Sequence, residues 1–382
     1  MSLGVGIYGC GFIGEVHAYC YKNMSIYYNP PALNPELIGV CTSQQDTAKK
    51  AKEKLGFIMA TTDYHELLNR DDIDIVHCCT PNYLHYEFII EAIKARKHIY
   101  CEKPLALNYD QARKIREFAR ESKYKQKFQI THNYRYLPAI LRAKQLVKEG
   151  FLGQVFGFRA QYLHSGYIDK DRPLSWRLDK QKAGSGALGD LGTHVLDLIY
   201  HLLGPYDQVM AEQETFIKER YSAAQQKKVS VEVDDVTISL VRMANGALGT
   251  IEAWRFATGS EDELRFEIHG SKGAMRFNLM DPNWLEVYDN REIGEPYGGY
   301  RGWKKISTVQ KYPKPAAFPS TKAPIGWIRS HVESLHTFLQ AIAEDKKTHP
   351  SLADGVYIQK THDKLLKSAH NGHWEKVSFE QE

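Results

Sequence analysis

A chain of 382 residues is longer than one ordinary hydrophobic core supports, which predicts two domains. Its 43% hydrophobic and 25% charged residues make a globular composition, and no apolar run approaches the roughly 18 residues that a membrane span needs. The net charge of +4 is small, and Lys and Arg are spread among Asp and Glu, which argues against nucleic acid as a partner. The first residues hold no charged segment followed by an apolar one, so no secretory signal is expected. Six cysteines, at positions 10, 20, 41, 78, 79 and 101, lack a CxxC pair or a framework spacing. They read as small buried hydrophobes and reduced thiols in a cytoplasmic setting.

In chain order, short apolar runs at 5–9, 37–41, 73–79, 97–101 and 127–133 predict strands. Amphipathic helical patterns lie between them at 46–56, 64–70, 85–96 and 108–122. This alternation predicts an α/β domain over 1–130 with a doubly wound parallel sheet. After about residue 150 the texture changes. Segments 153–163, 233–256, 263–278 and 284–290 alternate apolar and polar residues around Gly-containing turns, the pattern of an antiparallel sheet with one wet face. Residues 294–326 read as a long loop, and helices return at 327–345 and 351–371. The second domain is therefore taken as 131–382.

The first strand runs into "VGIYGCGFIGEVHA", which sets Gly9, Gly11 and Gly14 in G-x-G-x-x-G spacing, with Phe12 and Ile13 between them. Such a turn lets backbone approach a pyrophosphate at a helix N-terminus, so dinucleotide binding is expected. The second strand ends in Cys41, Thr42 and Ser43. It offers neither the carboxylate that would bind the ribose hydroxyls of NAD nor the Arg that a 2′-phosphate would prefer. Thr42 and Ser43 are the candidate hydroxyl contacts, with Lys49 or Lys50 behind them. The choice between NAD and NADP stays open, with a lean to NAD because no guanidinium is present.

The stretch "GSGALGDLGTHVLDL" (184–198) projects as a helix with Leu188, Leu191, Val195, Leu198 and Leu202 on a buried side. Asp190, His194, Asp197 and His201 form a polar stripe beside it. Asp190 and His201 would stand roughly 16 Å apart along the axis, too far to share an ion, and no HExxH or Cys/His cluster supplies further ligands. No metal is expected.

Three further segments, "TPNYLH" (80–85), "CEKPLA" (101–106) and "GDLGTHVLD" (189–197), follow in order after the glycine motif. Together they make the chain resemble the Gfo/Idh/MocA oxidoreductases, a family of sugar and inositol dehydrogenases that includes levoglucosan dehydrogenase-type members. The resemblance runs nearly end to end. It implies a Rossmann domain followed by an α/β domain with a large open, mainly antiparallel sheet through which homodimers or homotetramers form. It also implies that Lys103, Asp190 and His194 surround the nicotinamide. Thr80, Pro81, Asn82 and His85 match the segment lining the cofactor, and Glu102 the position beside the nicotinamide ribose. Trp176 and Arg177, in "PLSWR", are candidate substrate or cofactor contacts, with Tyr134 and Arg135 as further candidates.

Oxidising a secondary alcohol needs a hydride acceptor, a base for the hydroxyl proton and fixed geometry. His194 is the base candidate, because imidazole titrates near neutrality. Asp190 would orient it or hold a neighbouring substrate hydroxyl, and Lys103 would stabilise developing alkoxide charge. The expected activity is hydride transfer between nicotinamide and a secondary alcohol or ketone of a sugar, cyclitol or related polyol. Two alternatives stand beside it: an NAD-dependent enzyme of the same fold that cleaves a glycoside or dehydrates its substrate, and a non-catalytic ligand-sensing regulator.

Overall fold

The structure, a computed structural model, describes residues 3–379. Its first elements are β1 (Gly4–Tyr8), α1 (Phe12–Tyr27), β2 (Glu36–Cys41), α2 (Gln45–Leu55), β3 (Met59–Thr61) and α3 (Tyr64–Leu68). They continue as β4 (Ile75–Cys78), α4 (His85–Lys94), β5 (His98–Cys101), α5 (Tyr109–Glu121), β6 (Phe128–Ile130), α6 (Pro138–Lys148) and β7 (Val155–Leu163). Next come α7 (Lys180–Ala183), α8 (Thr193–Leu203), β8 (Tyr206–Glu214), β9 (Glu219–Ser222), β10 (Lys227–Ser230), β11 (Val236–Met243) and β12 (Leu248–Trp254). The last are β13 (Glu263–Gly270), β14 (Gly273–Asn278), β15 (Trp284–Asp289), β16 (Lys304–Ser307), α9 (Ile328–Ala343), α10 (Leu352–Asn371) and β17 (Glu375–Lys376).

Two compact units result, and neither is continuous in sequence. One holds residues 1–133, 312–320 and 327–359; the other holds 134–311, 321–326 and 360–382. Among the described residues no helix is long and apolar enough to cross a membrane.

The first unit carries a parallel sheet in the order β3-β2-β1-β4-β5-β6. Its central strands are buried and mostly apolar because helices cover both faces, with His77 on β4 an exception. Local signals set the helix ends: Asp63 accepts from the His65 amide at the start of α3, Asn108 accepts from Gln111 at the start of α5, and Gly56 closes α2 in the left-handed region. The strand order reverses between β1 and β4, and in open α/β sheets ligands bind at the carboxyl ends beside such a reversal. Helix α9 packs on α1, with Val332, Leu335, Phe338 and Leu339 in the same core as Val5, Ile7 and Tyr100.

The second unit carries a nine-stranded sheet in the order β16-β15-β14-β13-β7-β12-β11-β8-β17. All of its pairs are antiparallel except β12 on β7. That pair is parallel because the chain leaves the end of β7, passes through α7 and α8, and re-enters by way of β8 and β11, a crossover too long for a hairpin. β11 alternates cleanly, with Thr237, Ser239, Val241 and Met243 buried and Ile238, Leu240 and Arg242 exposed.

Candidate active site

In the first unit the three glycines do different work. Gly9 has φ +89°, and a Cβ there would stand 2.6 Å from the Cys79 carbonyl oxygen. Gly11 is the N-cap of α1, and a Cβ built on it would meet nothing within 4 Å, so this helix start is open to an approaching group. A Cβ on Gly14 would overlap the Gly9 carbonyl oxygen, which is the close packing of helix on strand. Tight turn, open approach and close packing are what a dinucleotide pyrophosphate requires, so the residues fit a nicotinamide dinucleotide. Phe12 is 74% exposed on the same turn and Ile13 is half-buried.

Beyond β2, Thr42 is buried with its hydroxyl 2.9 Å from the Gln44 carbonyl and 2.6 Å from the Thr47 hydroxyl. Ser43 alone of the two is exposed. Beyond β4, Thr80 and Asn82 are buried and Pro81 is half-buried.

His85 is held between two backbone carbonyls. It is fully buried, with Nδ1 2.9 Å from the Pro104 carbonyl and Nε2 3.0 Å from the Thr80 carbonyl. Two carbonyl acceptors require both nitrogens to donate. Burial opposes that charge, but Cys78 and the two carbonyls overcome it and hold the ring up to about 9. His85 thus ties the segment after β4 to the segment after β5.

Glu102 and Lys103 follow β5, the first buried and the second half-buried. Glu102 Oε1 lies 3.0 Å from His17 Nε2, a contact that the glycine motif gave no hint of. Burial pushes the Glu102 carboxyl up; the His17 hydrogen bond, with His331 and Lys103 nearby, more than offsets this and holds it below its ordinary value.

In the second unit, Asp190 sits on a π-helical turn, Leu188–Gly192, that runs directly into α8. Such turns recur at functional sites because they re-aim side chains. This one is anchored by Asp234, whose carboxylate accepts from the Gly186 and Leu188 amides at 2.6 and 2.7 Å and from the Thr237 hydroxyl at 2.8 Å. The glycines of the stretch serve packing inside the protein: a Cβ on Gly192 would stand 2.8 Å from Leu188 Cδ1, and one on Gly189 would overlap the Ser185 hydroxyl. The expected apolar side of α8 is buried throughout.

Asp190 Oδ2 lies 3.1 Å from Arg255 Nη2, and its Oδ1 lies 4.0 Å from Arg177 Nε. Arg255 is 1% exposed, with Tyr167 under its guanidinium at 4.6 Å. Arg177 is exposed and stacks 4.4 Å from the Trp176 ring. The structure therefore brings Asp190, Trp176 and Arg177 together and adds Arg255, which no sequence pattern marked.

His194 is half-buried, with the Tyr134 ring 4.9 Å and the Tyr162 ring 5.8 Å from its own. The Tyr134 and Tyr162 hydroxyls are 2.6 Å apart, and Tyr162 donates to Asp262 at 2.6 Å. Tyr134 is thus a buried wall behind His194. Arg135 is committed elsewhere: its Nε and Nη2 pair with both oxygens of buried Asp197 at 2.7 and 2.6 Å. Asp197 belongs to the predicted polar stripe, yet it is buried because α6 packs on α8 from that side.

Comparison with known proteins adds weight to this geometry. Residues 3–131 match the family described as oxidoreductases with an NAD-binding Rossmann fold, and residues 140–276 match the GFO/IDH/MocA C-terminal domain. The chain is 33% identical to levoglucosan dehydrogenase of Pseudarthrobacter phenanthrenivorans over 98% of its own length and 97% of the relative's. This chain belongs to the Gfo/Idh/MocA family. Like the family's dehydrogenases, it is a nicotinamide-dependent oxidoreductase acting on CH–OH groups. Myo-inositol 2-dehydrogenase of Thermotoga maritima is 28% identical over 70% of this chain and 73% of the relative. Among solved structures, levoglucosan dehydrogenase in complex with NADH and levoglucosan superposes with a TM-score of 0.93 at 34% identity, covering 99% of this chain and 100% of that one.

Proposed function

We propose that the protein is an NAD-dependent dehydrogenase of a neutral sugar, anhydrosugar or cyclitol, with Lys103, Asp190 and His194 as its catalytic residues. The observation that carries the reading is Asp190, placed between buried Arg255 and exposed Arg177 on a turn anchored by Asp234. A carboxylate so oriented accepts from a substrate hydroxyl, and Arg177 on Trp176 offers donors and a flat apolar face to the rest of a sugar ring.

His194 takes the proton of the reacting hydroxyl, and the Tyr134 and Tyr162 rings fix its plane. Lys103 donates to the reacting oxygen as charge develops on it. Nicotinamide, when bound, supplies the hydride acceptor or donor. Gly9, Gly11 and Gly14 with Phe12 and Ile13 hold the pyrophosphate side. Thr80, Pro81, Asn82 and Glu102 hold the nicotinamide side, and Ser43 stands nearest the adenosine ribose. The lean to NAD rests on the absence of Arg after β2 and on a relative crystallised with NADH.

The assembly in this reading is a homo-oligomer through the outer face of the large sheet, where exposed Ile238 and Leu240 lie in register with Glu252 and Thr250. Six free cysteines, five of them buried, support a cytoplasmic setting. A panel of anhydrosugars, sugars and inositols, run with NAD and NADP in parallel and followed at the absorbance of the reduced cofactor, tests the reading. Turnover of at least one polyol with NAD supports it; binding of NADH without turnover of any compound overturns it.

A further inference from the structure

A buried polar chain runs through the first unit and ends on Glu102. Tyr21 Oη is 2.8 Å from His77 Nε2; His77 Nδ1 is 2.9 Å from His17 Nδ1; His17 Nε2 is 3.0 Å from Glu102 Oε1. All four side chains are nearly or fully buried, on α1, β4 and the end of β5.

The carboxylate fixes the last link of the chain: Glu102 accepts, so His17 donates from Nε2. The Tyr21 phenol is kept protonated by burial and is hydrogen-bonded to His77 Nε2. Burial, and His17 close by, hold His77 well below the ordinary imidazole value, and of the two facing Nδ1 atoms one donates and the other accepts. Each histidine uses both ring nitrogens, and the series terminates in the Glu102 carboxylate.

The same atoms invite a metal reading, since His17 Nδ1, His77 Nδ1 and Cys79 Sγ lie within 4.8 Å of one another. The Nδ1 atoms of His17 and His77 are already hydrogen-bonded to each other, however, and Cys79 is a thiol that burial holds protonated, 3.1 Å from His17 Nδ1. The arrangement is complete without an ion.

We infer that His17, His77 and Tyr21 are positioning residues for the cofactor: they fix the Glu102 carboxylate in one orientation. The inference rests on the reading above that Glu102 meets the nicotinamide ribose. His17 lies on α1, the helix whose N-terminus carries Gly11, so one hydrogen bond ties the pyrophosphate end of the site to the Glu-Lys-Pro segment. Without His17 the carboxylate would be buried without that donor and would bind a proton more readily. The other titratable groups that face it are Lys103 on its own segment, Cys79 at the end of β4, Cys101 on β5 and His331 on α9. Tyr100 on β5 packs its ring 5.1 Å from His17.

The test is NADH affinity, read by fluorescence titration from pH 5 to 9, in wild type, Glu102→Gln, His17→Leu, His17→Gln and the Glu102→Gln/His17→Leu double variant, with metal content measured on the wild type. Glu102→Gln is expected to weaken NADH binding about tenfold. His17→Leu is expected to weaken it comparably and to move the acidic fall in affinity upward by about one pH unit. His17→Gln keeps an amide donor and a carbonyl acceptor at nearly the same spacing and is expected to restore both. In the double variant His17→Leu should add nothing to Glu102→Gln, the mark of two residues acting through one group. If Glu102→Gln leaves affinity unchanged, the placement of Glu102 at the cofactor fails and this inference with it. If Glu102→Gln weakens binding but His17→Leu leaves affinity and acidic limb as in wild type, the inference alone fails. Stoichiometric zinc or copper in the purified protein also overturns it. Should His17→Leu not fold, Tyr21→Phe carries the same test: a smaller upward shift of the limb supports the relay, and no shift overturns it.

Discussion

Arg255 shows how a single side chain gives Asp190 its role. Its guanidinium is buried under Tyr167 and aimed at one carboxylate oxygen, so the charge on Asp190 is oriented before any substrate arrives. Arg255→Met should lower kcat/KM by about 10- to 100-fold, the scale of one hydrogen bond to a charged group, while leaving NADH binding intact, as steady-state kinetics with a binding titration would show. Lys103→Ala and His194→Ala should each cut turnover by at least about a hundredfold, the scale of one positioned acid–base group, with NADH still bound. Retained turnover in both would remove them from the chemistry. At this scale the glycine turn was legible in the sequence, because Gly9, Gly11 and Gly14 each meet a need that no side chain meets. Arg255 was not legible, since it follows an ordinary strand and its partner lies 65 residues away. For Arg135 and His85 the sequence shows neighbours but not hydrogen-bond partners. Their true partners, Asp197 and the Thr80 and Pro104 carbonyls, are visible only once the chain is folded.

The decisive element is the π-helical turn leading into α8. Its first amides are satisfied by the side chain of Asp234 from just before β11, so the position of Asp190 depends on a residue more than forty places away. Asp234→Ala should cost about 1–3 kcal/mol of stability from orphaned amides and should lower activity further than that loss explains. A thermal melt alongside kinetics separates the two effects, and unchanged kcat would mean the turn keeps its shape unaided. Gly14→Ala should abolish NADH binding by driving a methyl group into the Gly9 carbonyl. The sequence displayed most strands and helices through their periodicity. It concealed β3, which has only three residues, and the parallel pairing of β12 on β7, which depends on a crossover and not on the pattern of either strand. Helix α9 read correctly as a helix, but its packing on α1 came from the fold.

Across the whole molecule, the many buried histidines make stability depend on pH. Burial, only partly opposed by Glu102, pushes His331 down to about 3, and burial with Arg329 nearby pushes His336 down to about 4. The sign follows from linkage. Below an unfolded value of roughly 6.5 the unfolded chain binds protons that the folded chain refuses, so stability falls as pH falls. His331 alone contributes about 1.4 kcal/mol per pH unit below that value. The melting temperature should therefore drop steadily from pH 7 to pH 5, and His331→Leu should flatten the slope if the variant folds. A flat profile in the wild type would mean that these rings are not buried neutral.

The central claim is net hydride transfer from a polyol, and the ratio of reduced cofactor formed to substrate consumed tests it most directly. With the most active compound of the panel and excess NAD, the account predicts one NADH and one carbonyl product for each substrate consumed. Substrate consumed by glycoside cleavage or dehydration, with no net NADH, would contradict it.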